Sequence, residues 1–205
     1  MKRYAFIDVL NTANSAEKML GFAVDWARLA EYLINKRSCT EMFFYTGIEN
    51  GDTETAQEFD ALSKIDCCTV RSKPVFAYKN KDKTVAKLCR TCETENVFTI
   101  DMGYNKKSNC DVELGVDAIE KSGPEVELII FTGDGDFEYL IRRALEKGVE
   151  KVYVFSYAGK EIRAGVTISR FSTKLRDLIA EKRERVFYTS LNDIKHAIKK
   201  DISIT

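Results

Sequence analysis

The chain has a single histidine, His196, among its 205 residues, and this scarcity excludes several kinds of catalytic site. Ser-His-Asp catalysis, histidine-rich zinc hydrolysis and RNA cleavage by paired histidines all need imidazole groups that the sequence does not supply. A glycine-rich phosphate-binding loop of the nucleotide-hydrolase or Rossmann kind is absent as well. An oxygen-ligated hard cation, Mg²⁺ or Mn²⁺, remains the favoured chemistry.

Long apolar runs and an excess of charge of either sign are also missing. No stretch approaches about 18 consecutive apolar residues, so we expect no membrane partner. Residues 1–3 lead directly into a strand-like run, which leaves no room for a signal peptide and predicts a cytoplasmic location. The 32 basic and 32 acidic residues cancel, so the chain as a whole is not a polybasic nucleic-acid binder. The 44% apolar content is typical of a soluble globular protein.

Six cysteines are present, and without an export signal we expect them to be reduced thiols. Cys89 and Cys92 have the spacing of half a zinc knuckle, but a structural zinc site needs four ligands. Cys67 and Cys68 would have to supply the other two, although adjacent residues of a strand point to opposite faces. Buried or loop thiols are therefore favoured over zinc.

Strand-like apolar runs alternate with amphipathic stretches of helical length, which predicts an α/β fold with a mostly parallel sheet. The predicted strands lie near residues 3–8, 41–46, 67–71, 126–132 and 151–156. The predicted helices cover about residues 22–36, 53–65, 110–122, 136–147, 172–181 and 191–200. We expect one domain over residues 1–182, followed by a C-terminal helical extension over residues 183–205.

Residues 72–107 interrupt this alternation and predict an inserted β-hairpin or flap, because two β-prone stretches are joined by a polar tract. Between Arg71 and Lys107 there are nine Lys or Arg residues against four acids. Residues 108–138, in contrast, hold nine acids and one base. An acidic centre with basic flanks suits a polyanionic ligand. A solvated hairpin with no special role is the alternative for the insert.

Four aspartates lie where predicted strands end or where the helix between them begins. Asp8 ends the first strand, Asp134 and Asp136 follow the strand near residues 126–132, and Asp111 opens a helix. The carboxyl ends of strands line the ligand crevice of open α/β sheets. Carboxylates gathered there repel one another unless a cation or a proton relieves the repulsion. This pattern predicts a divalent-metal site. For Asp8, Asp111 and Asp136, a turn or helix-capping role is the structural alternative.

Helical projection separates the two aspartates of the helix predicted over residues 110–122. Val112 and Val116 mark an apolar stripe that should face the sheet, with Asp111 on the inward side. Asp117 falls on the opposite, solvent-facing arc and has the weaker claim to the site.

Three motifs in this order resemble those of the NYN family, a PIN-like nuclease group that includes the bacterial LabA-type proteins. They are Phe6 to Asn11, Cys110 to Leu114 with Asp117, and Thr132 to Phe137, and residues 169–176 resemble the family's closing segment. The resemblance covers roughly residues 3–180. Val9 departs from it, because the family usually has glycine after the first aspartate.

The resemblance implies a PIN-like three-layer α/β/α sandwich and metal-dependent hydrolysis of RNA. By motif, Asp8, Asp111, Asp134 and Asp136 would be the catalytic and metal-binding acids, and Asp117 an outer acid. Asn11 would orient a ligand or Asp8.

The leading hypothesis is a cytoplasmic, Mg²⁺- or Mn²⁺-dependent endoribonuclease acting on single-stranded or structured RNA. In it, basic residues around Lys79 to Lys87 and at Lys106 and Lys107 contact the phosphates. A catalytically silent module that binds RNA or a protein partner is the alternative. A Mg²⁺-dependent phosphate-handling protein of the receiver or phosphatase type is a third, less favoured hypothesis. The oligomeric state stays open, with a homodimer as one candidate.

Overall fold

A central six-stranded parallel sheet dominates the computed structural model, which describes residues 1–201. Along these residues the elements are β1 (Lys2–Asp8), α1 (Val9–Leu20), α2 (Trp26–Arg37), β2 (Glu41–Ile48), α3 (Thr53–Ser63), β3 (Cys68–Pro74), β4 (Phe76–Lys79), β5 (Lys83–Leu88), β6 (Glu95–Ile100), β7 (Tyr104–Lys107), α4 (Asp111–Glu120), β8 (Val126–Phe131), α5 (Phe137–Glu146), β9 (Lys151–Ser156), β10 (Lys160–Arg163), β11 (Val166–Ser169), α6 (Thr173–Glu181), β12 (Val186–Ser190) and α7 (Leu191–Ile198).

Helices cover both faces of this sheet, whose strand order is β12-β9-β8-β1-β2-β3. On one face, residues of α4, α5 and α6 share a hydrophobic cluster with the sheet. On the other face, residues of α1, α2, α3 and α7 form a second cluster. All six residues of β8 are buried, as expected for a strand covered on both sides. The predicted three-layer α/β/α sandwich is thereby confirmed.

The insert is a two-stranded antiparallel ribbon, which we call the arm (residues 76–107). Its base pairs β4 with β7, and its outer part pairs β5 with β6. Every residue of β6 is exposed, so the outer ribbon has no core beneath it. The predicted inserted hairpin is therefore present.

Three elements differ from the sequence-based expectation. Helix α1 was not predicted, because Asn11, Asn14 and Ser15 interrupt its apolar periodicity, yet Asp8 caps its first turn. A second antiparallel ribbon, β10 with β11, was also missed. Residues 183–205 were expected to form a helical extension, but β12 lies near their start, before α7, and joins the sheet through parallel pairing with β9. Residues 202–205 lie outside the described part of the chain.

The helices of residues 1–201 are too short or too polar for any of them to cross a bilayer.

Candidate active site

The carboxyl ends of neighbouring parallel strands form the floor of one cavity of about 580 Å³, which we call the acidic cavity. Asp8 comes from the end of β1 and Asp134 from the loop after β8, while Asp111 comes from the start of α4. The structure thus brings together three of the four predicted aspartates. A volume of this size suits a small ligand or part of a larger one.

Asp8 is held rigidly where β1 passes into α1. Its Oδ1 atom accepts the Asn11 backbone N–H at 3.0 Å and so caps the helix. Burial raises the pKa of the Asp8 carboxyl to about 6, and the nearby Asp111 and Asp134 carboxylates contribute to the increase. The Asn11 N–H opposes these effects without cancelling them. The cavity therefore disfavours the negative charge of Asp8 unless a cation compensates it.

Asp111 is the first residue of α4 and is half-buried. Its backbone N–H donates to Asn109 Oδ1 at 2.7 Å, which fixes the start of the helix. Burial raises the pKa of the Asp111 carboxyl, and Asp134 and Asp136 raise it further against a hydrogen bond from Asn109. Asp111 lines the wall of the acidic cavity.

The loop that carries Asp134 is bound to the first turn of α1 by Asn11. The Asn11 side-chain Oδ1 accepts the Gly133 backbone N–H at 2.8 Å. Within the loop, the Asp134 backbone N–H donates to Thr132 Oγ1 at 3.1 Å, and Asp134 Oδ1 accepts the Asp136 N–H at 3.0 Å. These bonds fix the loop that carries Asp134 relative to the start of α1.

The two glycines of this loop are required by the close approach of another segment. A β-carbon on Gly133 would lie 2.1 Å from the Arg170 carbonyl oxygen. One on Gly135 would lie 2.3 Å from Ser172 Oγ. The Ser172 backbone N–H donates to the Gly133 carbonyl at 2.9 Å and so joins the two segments. Glycine at both positions therefore lets residues 170–172 close one side of the site.

Asp136 does not line the acidic cavity. It lines a neighbouring shallow groove, where its side chain is 84% exposed and lies 3.9 Å from Lys174 Nζ. Its structural contribution to the site is the backbone N–H that orients Asp134.

Asp117 is buried, so the prediction that it faces solvent is wrong. Its carboxylate accepts the Tyr45 hydroxyl at 2.7 Å and Arg71 Nη2 at 2.9 Å. The helix instead exposes Val112 and Val116, by 74% and 51%. The predicted apolar stripe was misplaced because a polar network with the sheet, invisible in helical periodicity, sets the buried face. Asp117 binds two sheet residues and does not line the acidic cavity.

Lys106 lies at the rim of the acidic cavity, where its Nζ pairs with Glu49 Oε2 at 2.6 Å. Both side chains are at least half exposed, and ion pairs of this kind are weak and easily exchanged. The Lys107 side chain lies outside the described part of the structure.

Sequence reasoning missed two polar groups that face the same cavity. Ser15 of α1 and Arg170, which follows β11, both line it. Ser15 Oγ and Arg170 Nε are buried and have no hydrogen-bond partner. Buried polar groups are nearly always paired, so orphaned atoms at a cavity wall point to a ligand. Arg170 lies in the segment that resembles the family's closing segment, but nothing in the sequence indicates a role for it or marks Ser15, because their positions depend on long-range packing.

The donor chemistry of the cavity fits a hard divalent cation. Asp8, Asp111 and Asp134 offer carboxylate oxygens, which Mg²⁺ and Mn²⁺ prefer, and their mutual repulsion would be relieved by a positive charge. The carboxylates are not drawn together as in a finished site, because residues 1–201 contain no group of three or more His, Cys, Asp or Glu side chains arranged to hold a metal. The acids thus match the ion in chemistry but would have to move closer to bind it.

The chain matches one family model and is similar to several solved structures. The NYN domain family model matches residues 3–173. No curated protein matches the chain. Among solved structures, the chain is similar to a protein of unknown function from Vibrio parahaemolyticus, at 20% identity and a TM-score of 0.61, over 94% of this chain and 93% of that one. This similarity concerns the fold alone.

Two structures of phosphofructokinase-2 from Escherichia coli, a tetrameric inhibited form and a mutant, align more weakly. The identities are 14% and 13%, and the TM-scores are 0.36 and 0.38. The alignments cover 77% and 84% of this chain, and 55% and 54% of the kinase chains. Such scores are too low for a conclusion about fold or function.

Proposed function

The chain belongs to the NYN domain family, within the PIN-like nuclease superfamily, and from this premise we propose that it is a metal-dependent ribonuclease. The observation that carries the proposal is the convergence of Asp8, Asp111 and Asp134 on one cavity, where burial and mutual repulsion raise the pKa of the Asp8 carboxyl to about 6. An acidic cavity of this kind suits a divalent cation that in turn binds a phosphate group of the substrate.

Asp8, Asp111 and Asp134 would hold the Mg²⁺ or Mn²⁺. When bound, such an ion supplies a water of lowered pKa and neutralises charge on the phosphodiester. Hydrogen bonds within the chain orient part of this set. Asn11 of α1 accepts the Gly133 N–H, and the Asp136 N–H donates to the Asp134 carboxylate.

Arg170 is proposed as a phosphate ligand. Its Nε atom is buried beside the acidic cavity without an acceptor, and a guanidinium binds phosphate oxygens in a bidentate manner. Lys106 at the rim would exchange its exposed Glu49 partner for a backbone phosphate. Lys107 remains a proposed phosphate contact.

The arm offers a surface for unpaired bases next to this site. Phe76 and Tyr78 lie two residues apart on one face of β4, and each is 57% exposed. They line a second cavity of about 680 Å³, the aromatic cavity, which shares Ser108 and Asn109 with the acidic cavity. Bases stack on exposed aromatic rings with about 1–3 kcal/mol per base. We therefore propose single-stranded RNA as the substrate, with its cleaved phosphate in the acidic cavity and neighbouring bases on the arm.

The decisive experiment is incubation of the full chain with single-stranded RNA and DNA oligonucleotides, with and without Mn²⁺. We expect cleavage of the RNA only when the ion is present. The Asp134→Asn variant should lose cleavage and keep its circular dichroism spectrum and unfolding midpoint. If the variant cuts as fast as the parent chain, the proposed mechanism is wrong.

A catalytically silent RNA-binding module is the second candidate. The lack of a finished three-ligand metal group within residues 1–201 favours it. Both candidates predict RNA binding through the arm, so binding alone does not separate them. Retention of RNA by the parent chain without any Mn²⁺-dependent product would support the silent module.

A further inference from the structure

The arm tip (residues 89–94), the turn between β5 and β6, carries two cysteines with free thiols. Cys89 follows β5 directly, and Cys92 lies in the turn before β6. The turn is closed by two backbone bonds of 2.9 Å, from Cys89 N–H to the Thr94 carbonyl and from Glu93 N–H to the Cys89 carbonyl. Glu93 adopts a left-handed conformation with φ of 55°. A Cys-x-x-Cys pair in a tight turn is the form in which one half of a zinc site is presented.

Both thiols of the pair lie at the surface of the arm. Cys92 is exposed and Cys89 is half-buried, so the pair can be reached from solvent.

The same chain does not supply the two further ligands of a tetrahedral site. Within residues 1–201 no third His, Cys, Asp or Glu joins the pair in a metal-binding group. Cys68 is buried at the amino end of β3, whereas the arm leaves from the carboxyl end of that strand. Cys67 packs against the hydrophobic cluster beneath the sheet. The sequence-based idea that these two cysteines complete the site is therefore excluded by the fold.

The outer ribbon also lacks a partner. Leu88, Val97 and Phe98 flank the tip and are 61%, 62% and 56% exposed. An isolated two-stranded ribbon is marginally stable in water, so this one gains from a cross-link and from burial of these side chains.

The charges near the tip are compatible with a second identical tip. Lys87 and Arg90 are balanced by Glu93 and Glu95, so two copies do not repel each other and can pair opposite charges. A polyanion would meet no net positive charge there.

We propose that the arm tips of two copies of this chain share one Zn²⁺, bound by Cys89 and Cys92 of each copy. Four thiolates complete the tetrahedral shell, and each cysteine still protonated releases its proton to water as the metal binds. The inference concerns the arm alone and does not depend on the proposed ribonuclease activity.

The test measures zinc content and molar mass of the full chain together, by elemental analysis and light scattering, in a phosphine reductant that prevents disulfides. We expect one zinc ion for every two chains and a dimer that a strong chelator converts to monomer. A Cys89→Ser/Cys92→Ser double variant should be monomeric and zinc-free. Thr91→Ala, which keeps both thiols in the same turn, should match the parent chain.

Cobalt substitution gives a second readout that is independent of mass. Co²⁺ added to the parent chain should give the thiolate-to-metal charge-transfer absorption of a tetrahedral sulfur site, and the double variant should not. One zinc per monomer, no zinc at all, or a dimer that survives both the chelator and the double substitution would each overturn the proposal. The chelator experiment uses the unaltered chain, so it stands even if the variant folds poorly.

Discussion

Asp8→Asn should make the protein more stable at neutral and alkaline pH while abolishing the proposed metal-dependent cleavage. The substitution keeps the size of the side chain and an oxygen that can accept the Asn11 N–H, because asparagine caps helices about as well as aspartate. What it removes is the negative charge that the cavity disfavours.

The magnitude follows from the change in pKa. The pKa of the Asp8 carboxyl is raised from 3.8 to about 6, and each unit corresponds to about 1.4 kcal/mol. The folded state holds the proton more tightly than the unfolded state. The negative charge of Asp8 therefore does not destabilise the fold below pH 3.8, the unfolded pKa, and destabilises it fully above pH about 6, the folded pKa. The full difference is about 3 kcal/mol, and water in the open cavity screens part of it. We expect a net stabilisation of about 2 kcal/mol at pH values above about 7.

Urea unfolding of both proteins at about pH 5 and about pH 8 measures this effect, and the advantage of the variant should grow by about 1 kcal/mol between the two. Mn²⁺ should raise the unfolding free energy of the parent chain and not that of the variant. Asp25→Asn is the matched control, because Asp25 caps α2 through the Arg28 N–H at the same 3.0 Å but lies outside the acidic cavity. An advantage for Asp8→Asn that is equal at both pH values, or absent at both, would refute the electrostatic reasoning.

Three further substitutions test the closure of the site and the RNA surface. Gly133→Ala places a β-carbon 2.1 Å from the Arg170 carbonyl oxygen, so urea unfolding should show a destabilisation of about 1–3 kcal/mol. Gly123→Ala is the control and should not destabilise the protein, because no atom lies within 4 Å of the added carbon. Arg170→Gln should weaken RNA binding and reduce the salt dependence of affinity by about one phosphate contact, and an unchanged slope would argue against a phosphate ligand. Phe76→Ala should weaken binding of single-stranded RNA by about 1–3 kcal/mol in a fluorescence titration. Tyr139→Ala, at an exposed tyrosine of α5 that lines neither cavity, should have little effect.

The part of the site that lies next to strand ends could be predicted from the sequence. Asp8 ends a buried apolar run and Asp134 lies in the loop just after another, so their place at the carboxyl edge is a local property of the chain. Asp111 begins the helix that precedes β8 and lines the same cavity. In each case, the information is contained within a few neighbouring residues.

Features that depend on distant segments could not be predicted in the same way. The burial of Asp117 rests on Tyr45 and Arg71, which come from two other strands of the sheet. Arg170 reaches the cavity because its backbone packs on Gly133, 37 positions earlier in the chain. Helix α1 is polar in sequence and is fixed by the cap at Asp8 and by packing of Ala16. The hydrophobic periodicity of the sequence gives no information about these contacts.

Strand β12 has a consequence for any attempt to work with a shorter version of the protein. The family match ends at residue 173, but the edge of the sheet is completed by Val186–Ser190 beside β9. A chain cut at the family boundary would leave the backbone of β9 unpaired along an apolar strand whose Val152, Val154 and Phe155 are fully buried in the whole chain. Bare strands of this kind pair with other molecules and seed aggregates. The segment that matches the family model is therefore shorter than the segment needed to protect the sheet edge from aggregation.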